Sequence, residues 1–261
     1  MFLKSKGFLF DGKHTDDFQL RLCQVGETNG TQSFGVERTL ETESIGTMML
    51  GLKSINYSTL KFDITLAKTD GIDLLPFSEQ DKFEIIQWLF KNDFKAITFD
   101  DQKDILYYVM FTKGSSYQNG FKQGYLNLTM ELNAPCGFTN ITTDVMRVQE
   151  ETTFEIFNRT NVEAFSYPDV EFELIGETDW IEIENLTTGD VMRFEGLKPS
   201  THAYCYNEGL KQLICVNDPA YNIRPTFNRV WLKLAYGRNC LKVRTVDAKI
   251  NIIGQSKIAL Q

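Results

Sequence analysis

The twelve residues FKQGYLNLTMEL, Phe121 to Leu132, decide the fold class. Leu126, Leu128, Met130 and Leu132 point one way, and Asn127, Thr129 and Glu131 point the other. Period-two alternation of this length belongs to a strand buried on one face. Asn133-Ala134-Pro135-Cys136-Gly137-Phe138 follows directly, and Pro with Gly ends a strand. A second all-β pattern starts beyond it. The chain therefore reads as mainly β, with two β-sandwich-like domains in series: 1–133, a polar connection 134–151, and 152–261. That organisation favours a scaffold or binding role over catalysis.

Outward from that strand, the first domain opens with Phe8-Leu9-Phe10 and a turn at Asp11-Gly12. A polar, Gly-rich segment then runs over 26–46, with Asn29-Gly30 as a strong hairpin signal. A structureless loop of that length is uncommon in a compact domain, so the spacing predicts an extended hairpin or arm carrying Asn29, Gly30, Phe34 and Val36. Strands follow over 48–57 and 60–66. One helix is predicted over about 78–92, with Ser78 as its cap and Glu79 and Asp81 in its first turn. Phe83, Ile86 and Phe90 share a face, widened by Ile85, Trp88 and Leu89, and that side is expected to pack on a sheet. Asp100-Asp101 and Gly114-Ser115-Ser116 read as turns.

The second domain reads as short strands over 154–157, 170–175, 181–184, 191–194, 213–216, 230–236, 241–246 and 249–253, the pattern of a sandwich. Thr187-Thr188-Gly189-Asp190 is a hairpin turn between two of them.

Composition bounds the partners. The 261 residues carry a net charge of −8, which disfavours a nucleic-acid-binding surface, because phosphate contacts need clustered Lys and Arg. Five scattered cysteines form no Cys-x-x-Cys pair, so reduced thiols are expected, with Cys205 and Cys215 the one pair that facing strands could bring together. No apolar run reaches membrane-span length, and Met1–Lys6 starts no signal-peptide core.

Catalytic constellations are absent from the pattern. His14 and His202 form no zincin helix, and there is no nucleophile elbow, Walker loop or Gly-x-Gly-x-x-Gly. No cofactor, metal site or catalytic residue is expected. Glu182 and Glu184 share a strand face about 7 Å apart, but Ile181 and Ile183 face the core, so both carboxylates are expected in water rather than in a glycosidase cleft. Trp231 adjoins an apolar strand, while Tyr204 and Tyr206 alternate with Ala203 and Cys205. These three are the candidate glycan or partner surface, and a carbohydrate-binding, lectin-like protein is the alternative to a scaffold.

The order of segments resembles the distal tail protein family of long-tailed bacteriophages. Phe8-Leu9-Phe10-Asp11-Gly12 with Asp17-Phe18-Gln19-Leu20 is similar to its N-terminal start, and Ala96-Ile97-Thr98-Phe99-Asp100-Asp101 then Tyr107-Tyr108-Val109 to its central segment. Ile181-x-Ile183-x-Asn185-x-Thr187-Thr188-Gly189, Phe194-x-Gly196-Leu197 and Leu234-x-x-Gly237-x-Asn239 resemble its C-terminal sandwich. The resemblance implies a structural hub of the virion tail tip, made in the bacterial host cytoplasm. Six copies would form a ring joining the tail tube to the baseplate, with receptor-binding components held outside and DNA only in transit through the channel. It implies no membrane insertion, and it gives the 26–46 segment the role of an inter-subunit arm.

Overall fold

The computed structural model describes residues 5–23, 38–45, 49–58, 60–207 and 211–259. They form two compact units, one reaching Phe138 and taking in Ala259, the other Thr139–Ile258.

The first unit is built from β1 (Phe8–Phe10), β2 (Lys13–His14), β3 (Leu20–Cys23), β4 (Arg38–Ile45), β5 (Met49–Tyr57), β6 (Lys61–Lys68), α1 (Glu79–Leu89), β7 (Lys95–Phe99), β8 (Ile105–Gln118) and β9 (Gly124–Leu132). Seven of the strands pair in the order β2-β1-β7-β8-β9-β6-β3. β9, the strand that decides the fold class, lies between β6 and β8 and buries Leu126, Leu128, Met130 and Leu132. The sheet curls: the Leu22 N–H donates to the Lys6 carbonyl at 2.9 Å, bringing β3 round to the segment that enters β1. Asp11 and Gly12 both take left-handed φ (47° and 78°), as a two-residue hairpin on twisted strands requires.

β8 runs straight through Gly114-Ser115-Ser116, where a turn is expected from sequence. The chain reverses instead after Asn119, whose side-chain oxygen accepts from the N–H groups of Phe121 and Gln123. Gly114 serves a close approach: a Cβ there would lie 3.0 Å from the Phe90 ring.

α1 is capped as expected, with Ser78 Oγ accepting from Asp81 N at 3.0 Å and Asp81 Oδ2 accepting from Ser78 N at 2.7 Å. Its inner face differs. Ile85, Trp88 and Leu89 are buried, whereas Phe83 and Ile86 are exposed. Trp88 decides the rotation, because it stacks on Phe18 at 4.5 Å and donates its Nε1–H to the Phe10 carbonyl at 2.8 Å. The helix stops at Leu89, three residues short of the sequence estimate, and the Phe90 N–H closes it onto the Ile86 carbonyl.

β10 (Cys136–Thr139) lies at the change of unit. The second unit then carries β11 (Thr142–Asn158), β12 (Phe165–Ser166), β13 (Asp169–Leu174), β14 (Trp180–Asn185), β15 (Asp190–Glu195), β16 (His202–Tyr206), β17 (Gln212–Cys215), β18 (Leu234–Ala235) and β19 (Gly237–Gly254), and β20 (Lys257–Ala259), like β10, spans the change of unit. The stretch 134–151 is thus largely strand. It reads as polar because most of the β11 side chains up to Glu151 are exposed, Val148 being the buried exception.

The segments 241–246 and 249–253 are one strand, β19, paired along its length with β11. Between Gln149↔Asp247 and Glu150↔Thr245, Val246 is left unpaired and Glu150 takes φ 66°. This bulge shifts the side-chain parity, so Leu241, Val243 and Thr245 face inward before it and Ala248, Ile250 and Ile252 after it. β14 and β15 join the first half of β19, and β13, β16 and β17 the second. All of these strands belong to one seven-stranded sheet, in which β11 pairs β19, and their buried side chains form a single core.

Of the expected strand 230–236, only Leu234–Ala235 is regular. Four buried asparagines hold the carbonyls along and just beyond this segment. Asn207 donates to Leu232 O, Asn185 to Lys233 O, Asn158 to Leu234 O and Ala235 O, and Asn239 to Ala235 O and Gly237 O. Side-chain amides take the place of a strand partner. None of the five cysteines forms a disulfide, and Cys205 and Cys215 pair in register with Leu213 and Ala203 rather than with each other.

Candidate functional site: docking surfaces

β4 and β5 form a two-stranded sheet separate from the main one. Leu40 faces Ile55, Thr42 faces Leu52 and Ser44 faces Leu50, and cross-strand partners share a face. A register shift after Glu41 skips Lys53, which keeps Leu50 and Leu52 on the side of Ile55 and Tyr57. The other side is polar: Glu41 accepts from Ser54 Oγ at 2.9 Å and from Asn56 Nδ2 at 3.0 Å. The apolar face is open, with Leu50 73% and Leu52 58% exposed. An isolated hairpin is marginal in water, and covering each such side chain contributes about 1.5–3 kcal/mol. Asn29, Gly30, Phe34 and Val36 lie outside the described residues.

On the second unit, Glu151, Arg244, Glu182 and Arg193 stand opposite one another across β11, β19, β14 and β15, alternating in charge. Arg244 Nε meets Glu151 at 3.0 Å and its Nη1 pairs with Glu182; Arg193 Nη2 meets Glu182 at 2.6 Å. Arg244 also reaches Glu184 at 3.1 Å, and Arg193 reaches Glu195 at 3.1 Å. Arg244, Glu182 and Arg193 line an open depression of about 490 Å³ beside Trp180 and Asp179. The expectation that Glu182 stands in water is corrected: its side chain is only 9% exposed, because two guanidinium forks lie over it. Burial pushes its carboxyl up, but the hydrogen bonds from Arg244 and Arg193 outweigh this, and the net shift is downward from 4.5. A glycosidase acid needs the opposite shift.

Tyr204 and Tyr206 lie side by side, ring centroids 4.4 Å apart. Tyr204 Oη donates to Asp169 at 3.2 Å, and burial, with Asp169 beside it, pushes its hydroxyl up to about 12. Glu171 accepts from Asn251 at 2.6 Å and pairs with His202 at 2.8 Å. The Asn251 bond, more than His202, holds its carboxyl below the usual value against the opposing effect of burial. Trp231 is not brought to this pair. It sits edge-on to Phe227, 5.0 Å away, which stacks on Phe194 of the core.

Among the described residues no group of three or more His, Cys, Asp or Glu is placed to hold a metal, and no helix is long and apolar enough to cross a membrane. The sequence could have disclosed the charge row only through the pairing register, which fixes which acid meets which base.

Comparison with known proteins agrees with this architecture. The solved Dit (gp 19.1) of phage SPP1, described as a paradigm of hub adsorption apparatus in phages infecting Gram-positive bacteria, superposes with a TM-score of 0.61. It is 14% identical, over 95% of this chain and 98% of that one. The SPbeta prophage-derived protein YomH of Bacillus subtilis (strain 168) is 27% identical over 177 residues, 63% of this chain. The match spans 65% of that relative's length. The family profile described as phage tail protein N-terminal domain matches residues 3–134, and the phage tail C-terminal domain profile matches 136–253. The chain belongs to this two-domain family of phage tail proteins and has a distal-tail-protein fold.

Proposed function

We propose that this protein is the distal hub of a phage tail: six copies close head-to-tail into a ring between the tail tube and the tail tip. The first units surround the channel, and the second units face outward to hold baseplate or receptor-binding parts. The observation that carries this reading is the β4–β5 hairpin, whose apolar face is open to solvent. Such a patch marks a protein interface, and an arm laid on the next copy suits a heterologous contact that closes a ring. The acidic balance of −8 per copy fits a channel through which DNA passes without adhering.

Leu50→Lys with Leu52→Lys tests it. Both positions are exposed, so the fold and its melting are expected to stay as they are while the ring disperses. A variant that assembles normally would contradict the reading. Removing 26–46 is a poorer test, because it takes away β4 and leaves β5 without its partner.

The alternative, a lectin-like second unit, rests on the adjacent Tyr204 and Tyr206 rings above a fixed set of carboxylates. Glycan-array binding by the full chain that is lost in Tyr204→Ala would favour it; the hub reading predicts none.

A further inference from the structure

The charge row of the second unit stops at an open edge. Glu182, Arg244 and Glu151 face one another across β14, β19 and β11, and among the described residues β11 pairs with β19 alone. Along its other edge, alternate residues of this 17-residue strand turn their N–H and C=O groups away from the sheet. The other edges of the sheet differ. β17 is four residues long, and β15 is closed by Asn228. The Asn228 N–H donates to Arg193 O at 3.0 Å, its Oδ1 accepts from Arg193 N at 3.2 Å, and its Nδ2 donates to Val191 O at 2.8 Å. Short strands and covering loops protect an edge, as do proline and lysine, and β11 contains neither of those residues. Its charged side chains lie back over the ribbon: Arg147 on Asp247, Glu151 on Lys242 and Arg244, and Glu155 on Arg238.

A free edge of this kind takes an extended chain through main-chain bonds, and the side chains beside it select the sequence. From Gln149 to Asn158 the strand carries Glu150, Glu151 and Glu155 and no base. A second β11 laid along this stretch would set acid against acid, which disfavours self-pairing. From Arg193 outward the row runs base, acid, base, acid, so its next member is a base. Glu151 accepts from Lys242 at 2.9 Å and from Arg244 at 3.0 Å, which leaves carboxylate lone pairs for a further donor.

We infer that the outer edge of β11 is a strand-addition site for a basic, extended segment of another tail protein, which sets a Lys or Arg opposite Glu151. The charge row then continues into the partner. This rests on the reading of the second unit as a holder of tail-tip parts, and it names the surface that holds them.

The test adds a synthetic peptide alternating Lys with Val and Thr to the full chain, up to millimolar concentration, and reads hydrogen–deuterium exchange along β11. One control carries Glu in place of Lys. A second is fully N-methylated, which keeps the charges and removes the main-chain donors. The expected result is slowed exchange over 150–157 with the Lys peptide and with neither control, and binding about threefold weaker in Glu151→Gln. Equal binding of the N-methylated peptide would reduce the contact to charge attraction and overturn the inference. Equal binding of the Glu peptide, an indifferent Glu151→Gln, or no slowing of β11 by the Lys peptide would overturn it as well. Light scattering on the same samples separates the two readings. A six-subunit ring whose β11 ignores the Lys peptide overturns this inference and leaves the hub standing. Slowed exchange in a chain that never forms a ring contradicts the hub and supports strand addition. Protection of β11 by ring assembly alone would make the occupant a second copy and overturn the inference.

Discussion

Glu182 shows how little a side chain's direction says about its surroundings. It points away from the core, yet Arg193 and Arg244 cover it. Its carboxyl is lowered on folding, so the charged form adds stability above the unfolded value near 4.5, and that stability is lost as pH falls through the lower folded value. Glu182→Gln is expected to destabilise the chain at pH 7 by about 1–3 kcal/mol. In urea unfolding at several pH values, the deficit should shrink below about pH 4; a pH-independent deficit would deny the ion pairs their role. Asn239 is the corresponding test for the amide clamp. It donates to Ala235 O and Gly237 O and accepts from Ala235 N and Asn185 Nδ2, so Asn239→Ala strands several buried groups at once. A loss of about 2–3 kcal/mol is expected by denaturant titration, and a change below about 0.5 would mean that water replaces the amide. The charge row was not legible in the sequence because it joins side chains from four separate strands, and of the Asn239 bonds only the one from Asn185 reaches across the chain.

Elements were legible where their signal is local. β9, the Asp11-Gly12 turn, the Thr187–Asp190 hairpin and the Ser78 cap follow from alternation, turn chemistry and capping, all settled within a few residues. Ser78→Ala is expected to cost about 1 kcal/mol in thermal or urea unfolding, since it strips the first turn of an acceptor; an unchanged midpoint would show that Asp81 alone holds it. What failed depends on tertiary choice. The two apolar sides of α1 are alike in composition, and Trp88 settled the contest through a hydrogen bond to a residue 78 positions away. β19 reads as two strands because its bulge reverses the alternation midway, and most of 230–236 is not regular strand because asparagine amides from elsewhere meet its carbonyls.

For the whole molecule, the division into two β units was visible in the pattern, while the open apolar face of the hairpin emerged only once register placed Leu40, Leu50, Leu52 and Ile55 together. The hairpin leaves Leu50 and Leu52 open to solvent, and the proposed ring would cover them. The most direct measurement is the mass of the purified chain by light scattering over a range of concentrations, with negative-stain images of the same peak. The account predicts six subunits in an open ring that dispersal of the hairpin face, by Leu50→Lys with Leu52→Lys, reduces to single copies. A monomer at every concentration would contradict it, as would a ring indifferent to those two substitutions.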